Sequence, residues 1–181
     1  MSALTPAQLA RLRAIVGSEN VLTSPEDTIP YGFDGTAALK GPAEIVVLPG
    51  STAEISAVVK FAGEYGRAIV TRGSGTGLSG GSVPSEGCIV LCLTRLDKII
   101  SVDAANLTVR AQCGVITAAI DAAVQQHGLF YPPDPGSMKI STIGGNVADT
   151  VAMTRMPIAP DGRLRADARR RWVVVLKHRS P

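Results

Sequence analysis

One stretch constrains this chain more than any other: Arg72-Gly73-Ser74-Gly75-Thr76-Gly77-Leu78-Ser79-Gly80-Gly81, with glycine at nearly every second position. Such a run packs poorly inside a helix or a strand, because glycine pays the largest backbone entropy and brings no side chain. It reads as a loop. Its flanks, however, are ordered. The run Ala68-Ile69-Val70-Thr71 stands directly before it, and the apolar Cys88-Ile89-Val90-Leu91-Cys92-Leu93 follows. Further upstream, Glu44 to Pro49 reads as a short strand, and Ser51-Thr52 with Glu54 opens a helix that carries Ile55, Val58, Val59 and Ala62 on one face. The spacing predicts a β-α-β unit that ends in a glycine loop.

A loop of this composition can bend so that successive N–H groups point into one concavity, which suits a phosphate or pyrophosphate. Arg72, Ser74, Thr76 and Ser79 add side-chain donors around it. Gly75, Gly77 and Gly80 satisfy the spacing G-x-G-x-x-G, but the dinucleotide fingerprint must open a helix, and here Pro84 and Gly87 interrupt before another strand. The Walker pattern fails as well, since no Gly-Lys-Ser/Thr closes the loop. On the loop alone, a surface turn without a ligand stands as the alternative.

The rest of the chain is mixed. Thr5 as N-cap, Pro6 at the first helical position and Gly17 as a stop frame an amphipathic helix with Leu9, Leu12, Ile15 and Val16. Residues 18–43, rich in Pro, Gly, Thr and Asp, read as an extended connection over the surface. Asp97 to Asp103 and Asn106 to Gly114 are strand candidates, Val115 to Gln126 is a helix closed by His127-Gly128, and Pro132 to Ala148 is a Pro-rich turn leading into a small-residue segment. The 181 residues suffice for one core, and no repeat of 20 to 50 residues is present.

Composition excludes several classes. With 45% hydrophobic and 18% charged residues the chain is not disordered, and its apolar runs are far shorter than the ~20 residues of a membrane span. The N-terminal residues lack the apolar stretch of a secretory signal. Cys88, Cys92 and Cys113 are odd in number and lie in or beside apolar runs, so they read as reduced, buried thiols of a cytoplasmic protein, with Cys88 and Cys92 on one face of a strand. No metal site is expected, and His127 reads as a helix C-terminal cap.

The residues then carry a resemblance. VVLPGSTAEISAVVKFA, TRGSGTGLSGG, the strand pair through VRAQCGV, and PPDPGSMKISTIGGNVA stand in the order found in the FAD-binding module of the vanillyl-alcohol oxidase, or PCMH-type, superfamily. Within it the chain most resembles the glycolate oxidase catalytic subunit and flavin-dependent D-lactate dehydrogenases. The resemblance implies an α+β fold, a PCMH-type FAD-binding domain of two subdomains with the second incomplete. It implies three segments: residues 1–41 as N-terminal helix and connection, 42–148 as the FAD-binding domain, and 149–181 as a divergent basic tail. The cofactor-binding residues it implies in the first subdomain are Arg72, Gly73, Ser74, Gly75, Thr76, Gly77, Leu78 and Ser79. In the second they are Pro133, Asp134, Pro135, Ser137, Thr142, Ile143, Gly144, Gly145, Asn146 and Ala148. Some members of the superfamily tether flavin through a histidine in the glycine loop; Thr76 stands in that neighbourhood here, so non-covalent FAD is expected.

In the intact family a small 2-hydroxy acid gives hydride to the flavin while a base on a separate substrate domain takes the hydroxyl proton. No catalytic residue is expected within this chain, because that domain has no counterpart in it. Residues 155–181 hold 8 Lys and Arg against 2 Asp and Glu, whereas residues 1–154 hold 10 against 13. This basic ending lacks the aromatic interleaving of a nucleic-acid binder, so no nucleic-acid partner is expected. A disrupted reading frame would account for it, with Trp172 to Lys177 resembling the family's next strand. Three readings of the chain stand: the FAD-binding portion of a 2-hydroxy-acid dehydrogenase, a non-catalytic accessory subunit of a glycolate oxidase complex, or an inactive truncated product whose second sheet has an open edge. The expected location is the cytoplasm, with attachment to the inner membrane through other glycolate oxidase subunits as a further option.

Overall fold

The computed structural model describes residues 4–36, 38–132 and 136–148, and the backbone of three short strands at 166–167, 171–175 and 177–178. The chain divides into two compact units, Met1–Arg95 and Leu96–Pro181.

The first unit begins with α1 (Pro6–Val16). Thr5 caps it as expected: its side chain accepts from the Gln8 N–H, and the Gln8 side chain returns a bond to the Thr5 N–H at 2.8 Å. Strand β1 (Val21–Leu22), a short helix α2 (Pro25–Thr28), β2 (Val46–Val47), α3 (Thr52–Glu64), β3 (Ile69–Arg72) and β4 (Ile89–Cys92) follow. The sheet order is β1-β2-β4-β3. Strands β2, β3 and β4 are parallel, and β1 joins β2 antiparallel with Val21 opposite Val47. The β-α-β unit is present, but β4 inserts between its two strands. A parallel connection must carry the chain back along the whole sheet, which takes a dozen or more residues and is usually helical. Here the return from β3 to β4 is the glycine loop itself.

Alternation along β4 explains why it is buried throughout. Ile89 and Leu91 face a core with Val47, Leu12, Val16, Val58, Phe61 and Ala62. Val90, Cys88 and Cys92 face the other side with Val46, packed by Leu22, Tyr31, Ala43, Leu48 and Val70. Residues 18–43 are therefore not a simple surface connection. They supply an edge strand and cover the second face of the sheet, which would otherwise leave Val46 and Val90 in water. On α3, Val59 is 48% exposed and Phe61 takes the buried place expected of it, because Phe61 shares the helix face of Val58 and Ala62.

The second unit holds β5 (Ile99–Asp103), β6 (Thr108–Ala111), α4 (Thr117–Gln125), β7 (Leu129–Phe130), α5 (Ile143–Ala148), β8 (Ala166–Asp167), β9 (Arg171–Val175) and β10 (Lys177–His178). Its main sheet runs β5-β6-β9-β8 with every pair antiparallel, and β10 pairs with β7. Val109, Val115, Ile120, Val124, Leu129, Tyr131, Ile143 and Val147 form its core. Three expectations change here. The small-residue segment 143–148 is a helix. Helix α4 ends at Gln125 with Gln126 as its cap, and the turn beyond it is closed by backbone N–H groups alone, His127 N donating to Val124 O at 3.0 Å and Gly128 N, at φ +70°, to Gln125 O at 2.9 Å. The edge of β6 away from β5 is not open, because β9 covers it with Val109 opposite Val174. Residues 149–165 lie outside the described residues, and so does the greater part of the proposed tail.

Candidate functional site

The glycine loop leaves the carboxyl end of β3, the end of parallel strands where open α/β sheets take their ligands. Its root is Arg72, which is buried. The Arg72 guanidinium donates through Nη1 to Tyr31 O at 2.9 Å and Phe33 O at 3.0 Å and through Nη2 to Ser74 O at 3.4 Å, and it lies over the Tyr31 ring. Burial pulls its pKa below the usual guanidinium range, against the raising effect of Cys92, Tyr31 and Asp34. Arg72 thus spends most of its Nη donors on the protein's own carbonyls, while its buried Nε has no partner. The sequence places it as a donor to a ligand; the structure also gives it a supporting place, beneath the loop as a cationic strut.

Gly75 shows how close that strut lies. It adopts φ +77°, and a Cβ at this position would overlap Arg72 Nη2. Both the backbone angle and the neighbour demand glycine. Cys92 closes the root from below, its thiol 3.8 Å from Gly73 O and 3.4 Å from Thr94 Oγ1.

Above the strut the loop's donors are free. The N–H groups of Gly73, Ser74, Gly75, Thr76, Gly77, Leu78 and Ser79 donate to no acceptor among the described residues. The first to be used is that of Gly80, which donates to Thr36 Oγ1 at 3.1 Å. Ser74 Oγ is buried and has no partner. Buried hydroxyls are rarely left so, and a run of unpaired N–H groups over a buried guanidinium is an arrangement for an anion. Leu78 stands outward, 76% exposed.

In the second unit, by contrast, the polar groups of the Gly-Gly-Asn segment are turned inward. Gly144 N donates to Cys113 O at 2.8 Å, and a Cβ on Gly144 would come within 2.7 Å of Cys113 Cβ. Thr117 Oγ1 donates to Ser141 O at 3.1 Å and accepts from Asn146 Nδ2. Thr142, Ile143 and Asn146 are buried, Ser137 and Gly144 are half-buried, and Gly145 and Ala148 are exposed. Of the side chains expected to line a flavin, three are occupied in packing this unit. Pro133, Asp134 and Pro135 lie outside the described residues. Cys113, expected to be buried, is only half-buried, although burial still raises its pKa.

Sequence reasoning missed the partners of the glycine loop. Tyr31, Asp34, Gly35 and Thr36 all touch it from the 18–43 connection, and only the Asx-turn character of Asp34 before Gly35 hints at it. Asp34 is buried; burial would raise its carboxyl, but hydrogen bonds from Thr36 and Ser82 outweigh this and hold it below the usual range. No group of His, Cys, Asp and Glu among the described residues is placed to hold a metal ion.

Residues 43–157 match the model of a FAD binding domain, well over half of the chain and past the Ala148 at which the sequence resemblance ends. The chain belongs to this FAD-binding family. Among its relatives, the glycolate oxidase subunit GlcD of Bacillus subtilis (strain 168) is 44% identical over 137 residues, which cover 76% of this chain and 29% of that protein. The D-lactate dehydrogenase of Archaeoglobus fulgidus is 41% identical over 129 residues, covering 69% and 29%. The D-2-hydroxyglutarate dehydrogenase of Xanthomonas citri pv. viticola is 34% identical over 174 residues, covering 96% of this chain and 35% of its own length, so that alignment reaches into residues 149–181. This chain thus spans about a third or less of the relatives it matches. Two solved structures share the fold of this FAD-binding domain: an alkyldihydroxyacetonephosphate synthase, with TM-score 0.73, 22% identity, and 81% of this chain and 29% of that one covered, and p-cresol methylhydroxylase, with TM-score 0.70, 22% identity and 81% and 30% covered. No helix among the described residues of this FAD-binding chain is long and apolar enough to cross a membrane.

Proposed function

We propose that the Gly73–Ser79 loop binds the pyrophosphate of FAD, and that the chain is the cofactor-holding portion of a flavin-dependent dehydrogenase acting on small 2-hydroxy acids such as glycolate or D-lactate. The observation that carries the reading is the row of unpaired N–H groups beside the unpartnered Ser74 hydroxyl, standing over the buried Arg72. A dinucleotide pyrophosphate offers acceptor oxygens to those donors, and the charge-assisted bonds that result are the stronger kind. FAD, when bound, supplies the hydride acceptor.

The chain's own residues then have distinct tasks. The N–H groups from Gly73 to Ser79 and the Ser74 hydroxyl bind the pyrophosphate, and Arg72 offsets its charge from beneath without leaving its carbonyl partners. Of the cofactor-binding residues that the resemblance implies in the second unit, Ser137 and Gly144 are half-buried and Gly145 and Ala148 are exposed. Thr142, Ile143 and Asn146 contribute by holding that surface in shape. Thr76 carries no nucleophile of the kind that tethers flavin, so the cofactor is held non-covalently. The Bacillus relative is named as a subunit; by extension this chain works with further glycolate oxidase subunits.

Titrating the full chain with FAD should shift the flavin absorption bands and raise the melting temperature. Acid precipitation should then release all the flavin into the supernatant. An unchanged spectrum and melting curve at saturating FAD would overturn the reading, and flavin retained in the pellet would overturn its non-covalent part.

A further inference from the structure

The segment Tyr31–Thr36 precedes the stretch matched by the FAD binding domain, which starts at residue 43. It nevertheless grips the glycine loop along its whole length. At the root, Tyr31 O and Phe33 O accept from Arg72 Nη1. In the middle, Gly35 N donates to Gly77 O at 2.9 Å. At the far end, Thr36 Oγ1 accepts from Gly80 N at 3.1 Å, and Asp34 Oδ2 accepts from Ser82 Oγ at 3.4 Å. Asp34 Oδ1 also accepts from Thr36 N at 2.8 Å, which fixes where the Thr36 hydroxyl stands.

What the grip leaves untouched is as informative as what it takes. It uses one loop carbonyl, the Gly80 N–H and the Ser82 hydroxyl, and none of the N–H groups between Gly73 and Ser79. Fixing a glycine-rich backbone costs roughly 1–2 kcal/mol per residue, and a loop ordered only on ligand arrival loses that much of its affinity. A partner that orders the loop while sparing its donors removes the cost and keeps the site.

We infer that Tyr31–Thr36 is a brace that presets the glycine loop for a dinucleotide pyrophosphate, with Thr36 and Asp34 as positioning residues. This rests on the reading of the loop as the pyrophosphate site. It places a determinant of cofactor affinity outside the matched FAD-binding segment.

The test uses the full chain with Thr36→Val, which keeps the shape and removes the acceptor, and Thr36→Ser, which restores it. Two quantities are read: the FAD dissociation constant by flavin fluorescence, and backbone ¹⁵N order parameters of residues 73–80 without FAD. Thr36→Val should weaken FAD binding about fivefold or more and lower the loop order parameters while those of α3 stay near ~0.85; Thr36→Ser should restore both. Ser82→Ala, which cuts only the longest contact, should act in the same direction and less. The brace is overturned if Thr36→Val leaves loop order and affinity as in the native chain, or if Thr36→Ser is as damaging as Thr36→Val. A native chain that binds no FAD, with a loop that still loosens on Thr36→Val, would overturn the pyrophosphate reading and leave the brace standing as a structural device.

Discussion

The glycine loop in the first unit and the Gly-Gly-Asn segment in the other unit share a composition, both being built from Gly, Ser, Thr and small apolar residues. Their polar groups go to opposite places. From Gly73 to Ser79 the N–H groups are unpaired, and Ser74 Oγ is buried without a partner. From Ile143 to Asn146 the N–H groups of Ile143, Gly144 and Asn146 and the amide of Asn146 are all consumed inside the unit. The difference teaches that glycine serves two ends here. In the loop it frees the backbone to face a ligand, and at Gly144 it lets two pieces of backbone touch.

The largest effects should come from the two glycines themselves. Gly75→Ala meets both a positive φ and the pinned Arg72 guanidinium, a strain of about 2–5 kcal/mol that falls on the loop. FAD binding should be lost beyond about a hundredfold, while melting of the second unit stays unchanged. Gly144→Ala presses on Cys113 and should destabilise the second unit by about 1–3 kcal/mol, seen as a lower melting temperature. If Gly144→Ala abolished FAD binding without touching stability, the contrast between the segments would break.

A smaller pair sharpens it. Ser74→Ala removes a hydroxyl that has no partner in the protein, so stability without FAD should hold or rise slightly, while affinity for FAD falls by about 1.5–3 kcal/mol. Asn146→Ala should do the reverse: a loss of about 1–3 kcal/mol in stability, because Thr117 Oγ1 loses its donor, with the affinity of the folded protein little changed. Denaturation curves with and without FAD separate the two.

The smallest effects are those of pH, and they too differ between units. Asp34 has its carboxyl held low, so its contribution is complete above the ordinary carboxylate pKa of about 3.9 and is lost as pH falls through the lower folded value. Asp34→Asn should flatten the acid limb of the stability curve. In the second unit, burial pushes the Tyr131 hydroxyl up to about 12, and that hydroxyl has no partner. Stability there is complete below pH ~10 and is lost as pH rises toward the folded value. Tyr131→Phe should remove this alkaline loss and raise stability at neutral pH by about 1 kcal/mol, since a buried unsatisfied hydroxyl is deleted. Melting curves between pH 3 and 11 check both.

Much of the local structure is legible in the residues alone. Thr5, Pro6 and Gly17 bound α1, Ser51 and Glu54 open α3, and the apolar runs at 89–92, 99–103 and 108–111 are strands, because caps and periodicity act over a few residues and are written locally. The glycine loop is legible for the same reason, whereas the strand at Trp172, which pairs with β6, was expected only from the family resemblance. What lay beyond the sequence was every feature that depends on distant neighbours. Val59 faces water and Phe61 the core, residues 18–43 cover a sheet face, and Asn146 turns inward to Thr117, each decided by what packs opposite. The same holds at the site. The sequence alone determined that a glycine-rich, donor-bearing loop follows a strand in a chain of this family. Only the tertiary structure decided that Arg72 lies beneath it and that Tyr31–Thr36 holds it, because hydrogen bonds across some 40 residues of chain leave no periodic trace.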